Sequence, residues 1–306
     1  MHVRGRSGVG LFTWVSLVVV ALPSLSVAAP PAKLPSPAHI VIVIEENKGF
    51  GDVIGSPNAP YINSLVVRGA SLTNFHSLHH PSQPNYIGFF AGDTLGICDD
   101  TCPTTAFAAE NLGAALLDKG KTFVGFAENL PPHASSVCKV GNFARKHAPW
   151  LNFSNVPGTS SMSFAKFPKD AAGFATLPTV SLVIPNLIND MHNGNAIGTE
   201  VKAGDDWLRD NLDAYAKWAK SNNSLLIVTW DEDSSTNYKI HCPAVITTPP
   251  PPNRIATVIV GGPAKAGTTS STNYTHYDLL RTLLDMCGIA PFGGATTAKD
   301  IDGIWQ

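Results

Sequence analysis

Carboxylates, amides and histidines fall at a few points of this 306-residue chain in combinations that can do chemistry. Glu45-Glu46-Asn47 follows one unbroken apolar run, Asp231-Glu232-Asp233 follows another, and Asn186, Asn189, Asp190 and His192 lie just beyond a third. Acidic groups gathered at the edge of a low-dielectric layer repel one another and are driven toward protonation unless a cation holds them. A bound divalent metal is the economical expectation. Oxygen ligands from Glu46, Asn47, Asp231 and Glu232 suit a hard ion such as Mg, Ca or Mn, and His192 and His276 nearby would admit Zn or Fe. Taken singly, each acidic stretch also reads as a solvated turn or as charge at a helix start. Their shared position behind apolar runs favours the cation.

The second constellation is His79-His80-Pro81-Ser82-Gln83-Pro84-Asn85-Tyr86, ahead of an apolar stretch that ends at Gly92. The prolines stiffen the backbone and place Ser82 where a helix begins, with unpaired backbone N–H groups ahead of it. Such a hydroxyl either caps the helix or, beside a metal, attacks phosphorus while the helix start stabilises the anion. No G-x-S-x-G elbow surrounds it, which argues against a conventional serine hydrolase. His79 and His80 adjoin the serine as supporting or phosphate contacts. His147, in Arg145-Lys-His-Ala-Pro-Trp150, reads either as a capped turn or as a cationic contact to a phosphate oxygen, with Arg145 and Lys146 beside it. His276 stands just before an amphipathic helix, where an imidazole can face the sheet edge.

These side chains need a scaffold, and the hydrophobic pattern supplies one. Short β-branched runs at His39 to Ile44, Thr122 to Ala127, Val180 to Ile184, Leu225 to Trp230 and Ile255 to Val260 read as strands buried on both faces. Apolar residues three or four apart at Asn111 to Lys119, Asp205 to Lys220 and Tyr277 to Met286 read as helices between them. The alternation predicts an α/β domain with a mostly parallel sheet, and ligands in such sheets bind beyond the carboxyl ends of the strands. The chain is 44% hydrophobic and 14% charged, enough for one large core and too apolar for disorder. A net charge of −2 with no basic patch excludes nucleic-acid binding. Arg4 and Arg6, an apolar stretch from Leu11 to Leu25 and small residues at 26–28 read as an export signal, with an uncleaved anchor as the alternative. The expected organisation is a signal over 1–28, a Pro-rich tether over 29–38 and a catalytic domain over 39–306. Export permits disulfides among Cys98, Cys102, Cys138, Cys242 and Cys287, and an odd count leaves one over.

The ordered set Glu45-Glu-Asn47, HPSQPNY with Gly92 after it, RKHAPW, IPNLINDMHNG, TWDEDS and NYTHYDLLRTL resembles the phosphoesterase family of acid phosphatases and phospholipase C enzymes, within the alkaline-phosphatase-like superfamily. The resemblance runs from about Ala38 to the C-terminus. It implies a three-layer α/β/α sandwich with a mostly parallel central sheet, and a phosphoserine intermediate formed on Ser82. It further implies Glu46, Asn47, Asp231 and Glu232 as ligands of a divalent metal whose identity and number vary, Asn85 as a phosphate contact, and Asp190, His192 and His276 as residues lining the site. Cysteines of relatives at Cys102 and Cys138 imply a bridge there. The chain departs from the pattern between Ser234 and Arg254, where 235–252 intervenes with Cys242 and bears on substrate preference or contact with a lipid headgroup. The function expected is a secreted, monomeric, metal-dependent acid phosphatase acting on small-molecule or phosphoinositide monoesters. The alternatives are a phospholipase C type phosphodiesterase using the same site and a catalytically silent secreted binding protein.

Overall fold

The unbroken run Ile40–Ile44 becomes the middle of a strand because every one of its side chains is 2% exposed or less, so no solvent face asks for a polar alternate. In the computed structural model this strand is β1, His39–Glu45. The structure describes residues 34–193, 198–234 and 253–306, with 1–3, 5, 8 and 10. The chain divides into units Met1–Pro31 and Ala32–Gln306, and every described strand and helix lies in the second. The expected signal stretch falls mainly outside the described residues, as does the 235–252 insertion with Cys242. Among the described residues no helix is long and apolar enough to cross a membrane.

The strands are β1, β2 (Ala70–Leu72), β3 (Phe75–His76), β4 (Phe123–Ala127), β5 (Lys139–Val140), β6 (Phe143–Ala144), β7 (Ser161–Ser163), β8 (Val180–Ile184), β9 (Ser224–Trp230), β10 (Arg254–Ile255), β11 (Thr257–Gly261), β12 (Thr268–Ser270) and β13 (Tyr274–Thr275). The helices are α1 (Phe50–Val53), α2 (Pro60–Arg68), α3 (Ser82–Ala91), α4 (Leu112–Asp118), α5 (Ala171–Phe174), α6 (Glu200–Ala219) and α7 (His276–Met286). Eight strands make the main sheet in the order β12-β2-β11-β9-β1-β8-β4-β7. β1 lies parallel between β9 and β8, and β4 lies parallel between β8 and β7. Helices α2 and α6 pack on each other and on β11, while α3 packs with α7 and with α4, which rests on β4. This is the α/β/α layering expected, with the carboxyl ends of β1, β8, β9 and β4 at one edge.

One predicted strand changes character. The run from Ile255 to Val260 is divided: Arg254–Ile255 joins β3 and β13 in a small second sheet, and β11 joins the main sheet antiparallel to both β9 and β2. A strand buried on both faces reads alike in either direction, so its pattern carries no information on polarity. The second sheet matters for the site: β3 leads into the loop before Ser82, and β13 leads into His276.

Helix α6 starts five residues earlier than its periodicity suggests, at Glu200. Gly204 sits in that first stretch because a Cβ there would lie 2.5 Å from Met191 Cγ. Its neighbour Asp205 is fully buried and accepts from the backbone N–H groups of Tyr61 (3.0 Å) and Ile62 (2.8 Å). Those are orphan donors at the start of α2, whose own cap residue, Ala59, has no acceptor side chain. The Cys102–Cys138 bridge forms as the resemblance implied, with Cα atoms 5.8 Å apart. Cys98 is also disulfide-bonded, and Cys287 is a buried free thiol.

Candidate active site

The register of β1 against β9, which pairs Glu45 with Trp230, brings the residues after both strands side by side. The Asp231 N–H donates to Glu45 O (3.0 Å) and the Glu46 N–H donates to Asp190 O (2.6 Å), so three strand ends are stitched through backbone. Asn47 then turns with φ of 49°, a left-handed conformation that asparagine tolerates better than most residues. Its N–H donates to Asp231 Oδ1 (3.1 Å), and its side-chain amide donates to Glu46 Oε2 (3.3 Å). The Glu232 N–H meets the same Asp231 oxygen at 2.6 Å.

Helix α3 opens at Ser82, as its sequence predicts, and all ten of its residues are buried. The Ser82 hydroxyl lies 3.0 Å from Glu46 Oε2 and 3.1 Å from Glu232 Oε1. One hydroxyl has one proton to give, so two carboxylates at that distance need either a further proton or a cation between them. Glu46, Asp231 and Glu232 are at most 4% exposed. Burial pushes Glu46 up to about 7, with Glu232 adding to the rise and Lys146 opposing it. Burial, then Glu46 and Glu232, holds Asp231 well above the ordinary aspartate range. Burial and Glu46 do the same to Asp190.

Which residues would hold a metal follows from the unsatisfied atoms. Glu46 Oε1, Asp231 Oδ2, Glu232 Oε2 and Asp190 Oδ2 are buried without a hydrogen bond of proper geometry. Three of the four approach a histidine ring, leaving Asp231 Oδ2 without one; among the described residues no three His, Cys, Asp or Glu side chains stand in ready-made metal geometry, so the fit rests on the chemistry of the donor set. An all-oxygen set of Glu46, Asn47, Asp231 and Glu232 matches a hard divalent cation. Glu45, on the opposite face of β1, is a different case. It is fully buried with both oxygens unpartnered, and burial followed by Asp190 and Glu128 raises it well above the glutamate range.

The histidines separate into distinct roles. His80 Nδ1 lies 2.6 Å from Glu232 Oε2 and Nε2 lies 3.5 Å from Asp233 Oδ1, so this ring fixes the second acidic pair. The His147 ring lies between Glu46 Oε1 (3.1 Å) and Asp190 Oδ2 (3.3 Å) and stacks on Tyr86 with centroids 5.1 Å apart. Burial, then Lys146 and His192, depresses it well below the ordinary histidine range, and both ring nitrogens face carboxylate oxygens of the protein. His192 is half-buried at the end of the β8 loop, with Nδ1 2.7 Å from Asn193 Oδ1 and its ring 6.2 Å from that of His147.

His276 and Asn85 serve the scaffold. His276 Nε2 donates to Trp230 O (2.9 Å) and its ring lies against Phe75 and Phe89, so it anchors the end of β9 from behind. His276→Phe keeps the ring, leaves that carbonyl without a donor, and is expected to lower stability by ~1–3 kcal/mol in chemical unfolding. Burial depresses His276 to about 4, below its unfolded value of 6.5. Its contribution is therefore complete above the unfolded value and is lost as pH falls from there toward 4, and the Phe variant flattens that acid limb. The Asn85 amide is consumed locally. Its Oδ1 accepts from Leu78 N–H (3.2 Å), His79 N–H (2.7 Å) and the Ser77 hydroxyl (2.8 Å), and its Nδ2 donates to His79 O and Pro81 O. It shapes the loop before Ser82 instead of offering a donor to phosphate. The Ser77 hydroxyl also touches the Asp231 carbonyl, tying that loop to the end of β9.

Two more side chains support the site. Lys146 Nζ pairs with Asp100 Oδ2 at 2.6 Å; burial works against its charge, and Glu46, Asp100 and Asp231 together outweigh that and raise it. Glu128, directly after β4, accepts from Asn186 N–H and the Asn189 amide and fixes the loop that carries Asp190 and His192. Its place after a buried strand was the available signal.

The Phosphoesterase family model matches residues 56–290, a span that holds Ser82, His147, Asp231 and Glu232. The chain belongs to the Phosphoesterase family. This phosphoesterase is 46% identical over 295 residues to the phosphatidylinositol-3-phosphatase of Mycobacterium tuberculosis, covering 96% of this chain and 90% of that one. It is 26% identical over 264 residues to an acid phosphatase of Aspergillus fumigatus, covering 81% of this chain and 54% of that one, so it spans about half the length of that fungal relative. Its fold is similar to that of a solved alkaline phosphatase superfamily protein from Vibrio parahaemolyticus, with a TM-score of 0.55 at 13% identity over 89% of this chain and 71% of that one. The phosphoesterase is a hydrolase acting on phosphoric ester bonds.

Proposed function

We propose that this phosphoesterase is an exported, metal-dependent acid phosphatase that cleaves phosphate monoesters through a phosphoserine on Ser82. The observation that carries the reading is the single Ser82 hydroxyl held within 3.1 Å of two buried carboxylates at the start of a helix. Glu46, Asn47, Asp231 and Glu232 would hold a divalent cation, which would supply charge neutralisation and lower the hydroxyl pKa. The side chains do the rest. The Ser82 hydroxyl lies within hydrogen-bond reach of the Glu46 and Glu232 carboxylates, so its proton passes to a carboxylate oxygen as Oγ attacks phosphorus in line; the bond to the ester oxygen breaks and the departing oxygen takes up a proton from that carboxyl group or from water to leave as the alcohol. Water then cleaves the phosphoserine from the vacated side. The role of exchanging a proton with that water is assigned to His192, half-buried on the loop after β8 with its ring 6.2 Å from that of His147 and held below its ordinary pKa by burial.

The substrate class fits the name of the mycobacterial relative, a phosphatase of an inositol lipid phosphorylated on the ring, and phosphorylated inositol lipids are monoesters of the kind proposed. Assaying a chromogenic phosphate monoester against its diester analogue separates this from phospholipase C chemistry. The expected outcome is kcat/KM at least ~10-fold higher for the monoester, a transition-state preference of about 1.4 kcal/mol. Equal or faster diester cleavage would replace the reading, and a folded, metal-supplied protein inert to both would make it a binding protein.

A further inference from the structure

The groups first expected to hold the phosphoryl oxygens are already in use. The Asn85 amide is spent on the loop from Leu78 to Pro81, and the Gln83 N–H, at the opening of α3, donates to Asp100 Oδ1 at 3.1 Å. The other oxygen of the same carboxylate takes the Lys146 ammonium at 2.6 Å. Asp100 thus bridges a helix N-terminus and a cation beside the nucleophile, which is the pattern of contacts a phosphate oxyanion makes. Lys146 precedes His147, whose ring lies 3.1 Å from Glu46 Oε1, and Glu46 and Asp231 both act to raise the lysine. One turn along α3 from Ser82, the Tyr86 hydroxyl is buried and directed at Glu46, whose carboxylate it helps to hold. The bridge is built to open. The Asp100 and Lys146 side chains keep 37% and 20% of their exposure, while the loop itself is pinned independently by the Gln83 side chain, whose Nε2 donates to Asp99 O (3.0 Å) and Thr101 O (2.8 Å). Asp100 can therefore swing away without unfolding its loop.

We propose that Lys146 is the phosphate-holding cation of this site and that Asp100 is a built-in competitor, its carboxylate occupying the ammonium and the Gln83 N–H that phosphoryl oxygens take over on binding. The inference rests on Ser82 being the phosphoryl acceptor, and it holds equally for an ester or for free phosphate. Asp100 then sets a threshold: a dianionic phosphoryl group, doubly charged and rich in acceptors, displaces one carboxylate, whereas a monoanionic diester does so less well.

The test is calorimetric titration of the full-length, metal-supplied protein with inorganic phosphate, alongside KM for a chromogenic monoester. Asp100→Asn keeps an acceptor for the Gln83 N–H and removes the charge; phosphate Kd and KM are expected to fall by ~3-fold or more, the scale of a partly exposed ion pair. Lys146→Met is expected to raise both by at least ~10-fold, the scale of a charge-assisted hydrogen bond. The double variant should match Lys146→Met, because Asp100 acts through the lysine. Where the asparagine variant does not fold, Asp100→Ser makes the same comparison. Phosphate binding that is unchanged or weaker on removal of the Asp100 charge, or a gain that persists in full without Lys146, overturns the proposal. Binding of phosphate is read without turnover, so an enzyme that hydrolyses nothing defeats the proposed activity while this result still decides the role of Asp100.

Discussion

Ser82→Ala removes one oxygen and is expected to lower kcat by at least ~10³-fold, the scale seen when a covalent nucleophile is deleted from an otherwise intact site. The fold should survive. The side chain is small, the helix it opens is anchored by Asn85 and Gln83, and the lost contact is a hydrogen bond worth about 1 kcal/mol. Activity and melting temperature measured on the same preparation separate chemistry from folding. A well-folded variant retaining a tenth of wild-type turnover would show that another group takes the phosphoryl.

Glu46→Gln should act in opposite directions on stability and on activity. In the metal-free protein the folded state holds Glu46 near 7 against an unfolded value of 4.5. Between those values the folded form binds more protons than the unfolded form, so stability falls as pH rises through that window, by about 3 kcal/mol once Glu46 is fully ionised. Glutamine carries no such charge. With a chelator present, the variant should melt above wild type at pH 8 and close to it at pH 5, while added divalent cation should raise wild type most at the higher pH. Activity should fall by at least ~10²-fold, since the proposed role of Glu46 is that of a metal ligand rather than a supporting contact. Parallel melting curves for the two proteins across pH would mean that Glu46 bears no buried charge.

How much of this was legible follows from what each signal measures. β1, β4, β8 and β9 announce themselves because burial on both faces leaves short runs that are almost wholly apolar, and Glu46, Asp231 and Asp190 stand out because each follows such a run. The same uniformity hid the direction of β11 and its break from β10 after Ile255. β2, β7 and β12 are three residues each, too short for a period to register. Within the site, Ser82 was placed by the prolines around it. The sequence marked Asn85 as polar and near the serine, but whether an amide faces ligand or loop depends on the hydrogen-bond partners in the fold. Asp100 and Lys146 meet across 46 positions of chain, and only the packing of the Cys98 to Cys102 stretch against α3 makes them a pair.

The most direct measurement of the central claim is mass spectrometry of the enzyme quenched in acid during turnover of a monoester. One phosphoryl group on the peptide containing Ser82, absent from Ser82→Ala and from enzyme without substrate, is the result expected. Turnover continuing at full rate with phosphate never found on Ser82 would contradict it.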